Sequence, residues 1–182
     1  MSRLIDVLTP TGLRTGETLS RAEIHRLGKY HRAIHLYLFN SKNELLLQRR
    51  ALTVDNFPGA LSISVLGHVD AGEHSSATVR REIQEELGID TSPLTIEFLF
   101  SYFSEATLSA TYIDRQFNDV YLARTDLDLS HIHIDPSEVS DVTFVSFERF
   151  KQILADPHSE LAPVYANECR DLVYFLDHWP TA

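Results

Sequence analysis

Glu82, Glu85 and Glu86 stand close together in a stretch, residues 75–87, whose pattern predicts a helix. At about 100° per residue, Glu85 lies near −60° and Glu86 near +40° from Glu82, so three carboxylates share one face. Val79, Ile83 and Leu87 fall on the neighbouring stripe, which anchors the helix. Glu82 and Glu86 repel at i, i+4, and all three sit in the last two turns, where the helix dipole disfavours negative charge. A cation should compensate. Oxygen ligands without Cys or a His–Glu–His zinc spacing suit a hard divalent ion, Mg²⁺ or Mn²⁺, which keeps some waters and completes its shell with substrate phosphate. Gly67 and Gly72 are expected to let the preceding loop turn tightly, bringing the Gly67 carbonyl near that ion. Arg81 can brace one carboxylate, or Glu73 in the loop, through a forked ion pair. The plain alternative is a solvated acidic helix face.

Several elements must hold that helix in place. Ser75 or Ser76 is expected to cap it and Gly88 to stop it in the left-handed conformation. Residues 31–40 and 44–50 read as strands flanking the polar turn Ser41-Lys42-Asn43, and 61–66 as a further short strand. Residues 94–103 and 110–124 predict two long strands joined through 104–109, 139–145 another, and 147–154 and 163–178 closing helices. At the front, 3–8 and 13–18 read as a hairpin around Thr9-Pro10-Thr11-Gly12, followed by a short helix over 21–27 capped by Ser20. Strands and helices alternate without a regular βαβ rhythm, which predicts an α/β protein with a mixed sheet and helices on both faces.

A chain of 182 residues with 43% apolar and 23% charged residues predicts one folded domain over 1–182, with 1–28 as an N-terminal extension. The formal charge of −10 argues against bulk nucleic-acid or anionic-membrane binding, but not against a small phosphate ligand held by local Arg or a cation. Cys169 is the single cysteine, which excludes an intramolecular disulfide and a Cys-based zinc cage. With no apolar N-terminal leader and no run near the ~20 residues of a membrane span, a cytoplasmic protein is expected. Most of the aromatic residues should be core, with some available to stack on a base.

The wider spacing is more specific than the helix. Residues 67–89 fit G-x5-E-x7-R-E-U-x-E-E-x-G-U, with U aliphatic, at Gly67, Glu73, Arg81, Glu82, Ile83, Glu85, Glu86, Gly88 and Ile89. The chance of this at a given start is below about one in 10⁹. It is the Nudix box, and the chain resembles Nudix hydrolases, which cleave diphosphates linked to another group, X. The resemblance implies an α/β/α sandwich and metal held by Glu82, Glu86 and usually Glu85. It also implies water attack on phosphorus, with Glu82 or Glu85 taking the proton. Arg81 joins these two as a catalytic candidate; Glu105 is a weaker one, read as a solvated loop residue.

Outside the box, residues 31–40, 45–51, Phe57-Pro58-Gly59 and 64–68 resemble the isopentenyl-diphosphate isomerase branch of the superfamily. Where those isomerases place a reactive Cys before Gly-His, this chain has Leu66, which neither donates nor accepts a proton. Basic residues that help hold diphosphate there are replaced by Val54-Asp55, and the box, degraded in the isomerases, is complete here. The resemblance therefore implies an isomerase-like hydrolase, with an isomerase or a non-catalytic nucleotide-binding module as alternatives. His31, His68 and Asp119 match isomerase metal positions and imply a second metal or substrate site. Arg49 and Arg50 are phosphate-binding candidates, of which strand alternation lets only one face the cleft. The expected partner is a small-molecule diphosphate; homo-oligomerisation is left open.

Overall fold

The computed structural model describes residues 3–178. Its centre is a mixed sheet built on β3 (His31–Asn40) and β4 (Glu44–Arg50), whose observed bounds match the sequence reading. β3 runs parallel to β8 (Tyr112–Thr125), which forms a long antiparallel hairpin with β7 (Ile96–Ser109). β3 and β4 pair at Phe39 and Leu45 and then separate. Beyond that point β3 pairs with β6 (Val65–His68), and β4 pairs with β5 (Leu61–Ser62) and with β9 (Val139–Ser146).

That separation corrects the expected single strand over 61–66. The chain leaves β4 after Ser62 and joins β3 at Val65, and Ser64 bridges the gap. Its hydroxyl donates to the Leu46 carbonyl at 2.6 Å and accepts from the Leu38 amide at 2.8 Å. A buried fork in a sheet needs such a group, because its backbone would otherwise lose hydrogen bonds.

Both faces of β3 are buried, as a covered sheet requires. Ile34, Leu36 and Leu38 face helix α2 (Ser75–Leu87), meeting Val79, Ile83 and Leu87 in one core. Tyr37 and Phe39 face the other way, toward α3 (Phe147–Ala155) and α4 (Ala166–His178), where Phe150, Cys169 and Leu172 complete a second core. The α/β/α sandwich is thus laid down by period-2 alternation along β3.

At the N-terminus, β1 (Leu4–Leu8) and β2 (Arg14–Ser20) form the hairpin, and α1 (Arg21–Arg26) follows with a Ser20–Glu23 capping box. Ile5, Val7 and Ile24 make a small core of their own.

Three expectations are corrected. The N-cap of α2 is His74, without a side-chain cap bond; the Ser75 hydroxyl instead bonds the Tyr121 hydroxyl at 2.8 Å. Residues 104–109 are strand, not loop, because β8 pairs them through to Ser109. Glu105 there is held by Arg115 across the ladder at 2.7 Å, away from the cleft. The closing helix begins as a 3₁₀ turn over Pro163–Tyr165 before α4. Gly88 does end α2 in the left-handed conformation, with φ +64.

Candidate active site

A cleft of about 830 Å³ opens over the end of β6, between α2, β4 and the N-terminal segment. Glu82, Glu85 and Glu86 all line it, together with Gly67, His68, Gln48 and Arg50. The three carboxylates are not equivalent. Glu82 and Glu86 are 8% and 2% exposed, whereas Glu85 stands at the rim.

Burial pushes the Glu82 carboxyl up to about 7, against the pull of the Arg81 guanidinium 2.7 Å away. Burial also drives Glu86 well above the ordinary carboxylate range, reinforced by the like charges of Glu82 and Glu138. Its support is a bond from the Gln48 amide at 3.1 Å and one from the Leu66 backbone. Glu85 shifts the opposite way. Its oxygens accept both arms of the Arg3 guanidinium, at 3.0 and 2.7 Å, and this bond is the largest cause of its lowered pKa.

Arg81 is the hub of the set and braces both of its expected partners. It donates to Glu82, to Glu85 at 3.1 Å and to Glu73 at 3.1 Å. Glu73 also accepts from the Thr78 hydroxyl at 2.8 Å. Burial raises the Glu73 pKa, but these bonds outweigh it and the net shift is downward.

Gly67 serves the site differently from expectation. It lies in β6 opposite Ile34, not in a turn, and a Cβ there would overlap the Glu82 carboxyl. Glycine is required so that α2 can press Glu82 against the strand. Gly72, with φ +79, does make the turn.

Strand parity sorts the remaining candidates. His31, Ala33 and His35 share a face of β3 with Gln116 and Asn118 of β8, and with Leu66 and His68 of β6. Asp119 is out of phase, so it cannot join His31 and His68. It accepts from Arg32 and from Ser101 on the α2 side of the sheet. The acid that does meet the histidines is Asp114, whose Oδ1 lies 3.5 Å from His31 Nε2 and 3.6 Å from His25 Nδ1. Among the described residues, His25, His31 and His68 form the one group of His, Cys, Asp or Glu whose ligand atoms all lie within 4.8 Å of one another. Glu82, Glu85 and Glu86 do not close to that spacing, although one Arg81 nitrogen donates to both Glu82 and Glu85.

Burial holds His25 down to about 3 and His31 to about 4, lowers His68 well below its usual value, and lifts Asp114 to about 6. The His31 Nδ1 is 3.1 Å from the Lys29 carbonyl and so carries the proton there, leaving the Nε2 lone pair facing the Asp114 carboxylate. His25 Nδ1, His31 Nε2 and Asp114 Oδ1 are all buried without a hydrogen-bond partner. His31 Nε2 and Asp114 Oδ1 are acceptors facing each other in the interior, which require a proton or a cation between them, while His25 Nε2 lies 3.1 Å from both His68 Nε2 and the Tyr112 hydroxyl.

Arg50 lines the cleft, its Nε donating to the Asn56 carbonyl at 2.9 Å. Arg49 points to the other side, where it bonds the Gly59 carbonyl and Glu160 at 2.7 Å each. Its candidacy for phosphate is corrected on that ground. Sequence reasoning missed Arg3, Arg21 and His25, all from residues 3–28, and Asp114 and Gln48. Parity with His31 could have found Asp114, and parity with Arg50 could have found Gln48.

A NUDIX domain model matches residues 29–166. The chain is 36% identical over 166 residues to Nudix hydrolase 3 of Arabidopsis thaliana, covering 89% of this chain but 22% of that much longer protein. It is 33% identical over 143 residues to the isopentenyl-diphosphate Delta-isomerase of Pectobacterium atrosepticum, covering 79% and 74% of the two chains. A crystal structure from Deinococcus radiodurans superposes with a TM-score of 0.75 at 24% identity, covering 92% and 98%, which supports the fold.

Proposed function

The chain belongs to the Nudix family, as a pyrophosphohydrolase-type enzyme, and from that premise we propose that it cleaves a small organic diphosphate, such as a nucleoside diphosphate derivative, with a divalent metal. The observation that carries this reading is the pair Glu82 and Glu86, two carboxylates buried side by side on one helix face with their pKa values driven upward. Ionised together, they are tolerable only beside a cation, and an all-oxygen set suits Mg²⁺ or Mn²⁺. Glu82 and Glu86 would hold it, with Glu85 and the Gly67 carbonyl adjoining. When bound, such an ion lowers the pKa of a water and neutralises charge on the phosphoryl oxygens.

The chain's own groups do the rest. Arg81 holds Glu82 in place and ties it to the loop through Glu73. Arg50, with Arg21 beside it in the cleft wall, supplies positive charge for phosphate in a protein whose net charge is negative. Glu82 or Glu85 accepts the proton of the attacking water. The test is Glu86→Gln, which should lose most Mg²⁺-dependent cleavage of the diphosphate, read as phosphomonoester product, while its circular dichroism stays native; wild-type rates would end the reading. A screen for phosphomonoester products over nucleoside diphosphate derivatives and isoprenoid diphosphates separates hydrolysis from isomerisation. Leu66, in the place of the isomerase cysteine, argues for hydrolysis.

A second reading concerns His25, His31 and His68. Three neutral imidazoles whose ring nitrogens lie within 4.8 Å of one another, with the unpartnered His31 Nε2 and Asp114 Oδ1 among them, fit a second metal of the nitrogen-preferring kind. Metal content after dialysis against Zn²⁺ or Mn²⁺, in the wild type and in His68→Ala, tests it.

A further inference from the structure

Residues 3–28 precede the segment that matches the family model, yet they form one wall of the cleft. β1 docks along the loop that carries Glu73. The Ala71 amide donates to the Leu4 carbonyl at 2.8 Å, and the Gly72 amide to Asp6 Oδ2 at 2.9 Å. Arg14 clamps the same loop from β2, donating to the Glu73 carbonyl and pairing with Asp6 at 3.0 Å. That loop supports the carboxylates, because Glu73 anchors Arg81 and Arg81 anchors Glu82.

Arg3 acts more directly. Its fork takes both oxygens of Glu85, and with Arg81 on the same Oε2 it fills that atom's two acceptor positions, leaving Oε1 one position to offer elsewhere. We propose that this N-terminal arm is a working part of the active site, in which Arg3 is a positioning residue for Glu85 and Arg14 steadies the loop behind Glu82. The proposal rests on reading α2 as the catalytic cradle. A rim glutamate in the last turn of a helix would otherwise sample several rotamers. A planar two-pronged donor holds both of its oxygens at once, which a point charge on a flexible stem does not. The arm therefore supplies geometry more than charge.

The variants Arg3→Ala, Arg3→Lys and Arg14→Ala, made in the full chain, test this. At saturating Mg²⁺, with whichever diphosphate the wild type turns over fastest, Arg3→Ala and Arg3→Lys should both lose about fivefold in kcat with KM nearly unchanged, the scale of an exposed, well-formed ion pair. Hydrogen exchange on the metal-free protein gives a readout apart from turnover: the amides of Ala71 and Gly72 should exchange faster in Arg14→Ala. If Arg3→Lys keeps the wild-type kcat while Arg3→Ala loses it, charge alone matters and the positioning role is overturned. Wild-type kcat in all three variants, or unchanged exchange at Ala71 and Gly72, overturns the arm's role as well. A wild type inert toward every diphosphate would instead refute the hydrolase reading, a result distinct from either.

Discussion

In the metal-free protein the Glu82 carboxyl should contribute less stability as pH rises, by an amount its pKa sets. This carboxyl titrates at about 7 in the fold against an ordinary value of 4.5. The native state therefore binds the proton more tightly than the unfolded chain. Between those values the native state carries more protons, so unfolding free energy falls with pH and levels off above about 7. A difference of some 2.5 units at 1.36 kcal/mol each is about 3 kcal/mol. In Glu82→Gln nothing titrates at this position, and Glu86, relieved of the Glu82 charge, is raised less, which adds to the variant's gain at high pH. Thermal melts in EDTA should thus show the variant gaining on the wild type by roughly 6–12 °C between pH 4.5 and 8, taking 2–4 °C per kcal/mol for a chain of this size. Millimolar Mg²⁺ should close the gap at pH 8, raising the wild type by about 2.7 kcal/mol at a hundredfold excess over Kd and the variant far less. A difference in melting temperature that stays flat across that pH range, or Mg²⁺ stabilising both proteins equally, would refute the claim that burial of this carboxylate is offset by a cation.

Two further outcomes follow from the same geometry. Arg50→Ala should raise KM for a diphosphate roughly 10- to 100-fold, as expected on losing a charge-assisted bond, whereas Arg49→Ala, which frees the Gly59 carbonyl and an exposed Glu160 outside the cleft, should leave it within about twofold; steady-state kinetics separate them. His25, His31 and His68 have folded pKa values below their unfolded value of 6.5, so the stability they contribute is present above pH 6.5 and is lost as pH falls below it. Melts in EDTA from pH 7 to 5 should show acid destabilisation that is weaker in His31→Gln, and equal slopes would contradict it.

What could be read from the sequence was whatever depends on local periodicity. β3, β4 and α2 carry unbroken patterns of apolar residues, and their bounds coincide with expectation. The box placed Glu82, Glu85 and Glu86 in one cleft because their mutual position is internal to a single helix. Features set by pairing between distant segments were hidden. The expected strand over 61–66 splits because the sheet forks at Ser64, a tertiary event that no local propensity records. His74, and not a serine, heads α2 because Tyr121, a distant residue on β8, draws off the Ser75 hydroxyl. Arg3 and Arg21, which line the cleft, and His25, which meets His68, carried no motif, and the N-terminal segment that bears them is held by β1 docking on residues 70–72.

The four residues of β6 show how one backbone can serve two chemistries. Gly67 faces α2 and leaves room for Glu82, while Leu66 and His68, of opposite parity, face the histidines and Asp114. A catalytic side chain at 66 would thus point away from the carboxylate cradle, into the space beside His35. An acid or base at 66 would act on whatever enters that inner space, whereas under the proposed function the carboxylate cradle would act on a diphosphate. Replacing such a group by leucine removes chemistry from one face of the strand and leaves the other intact. The same scaffold that its isomerase relatives use can therefore carry different side chains on the two faces of β6, with His68 belonging to the histidine group and lining the carboxylate cleft as well.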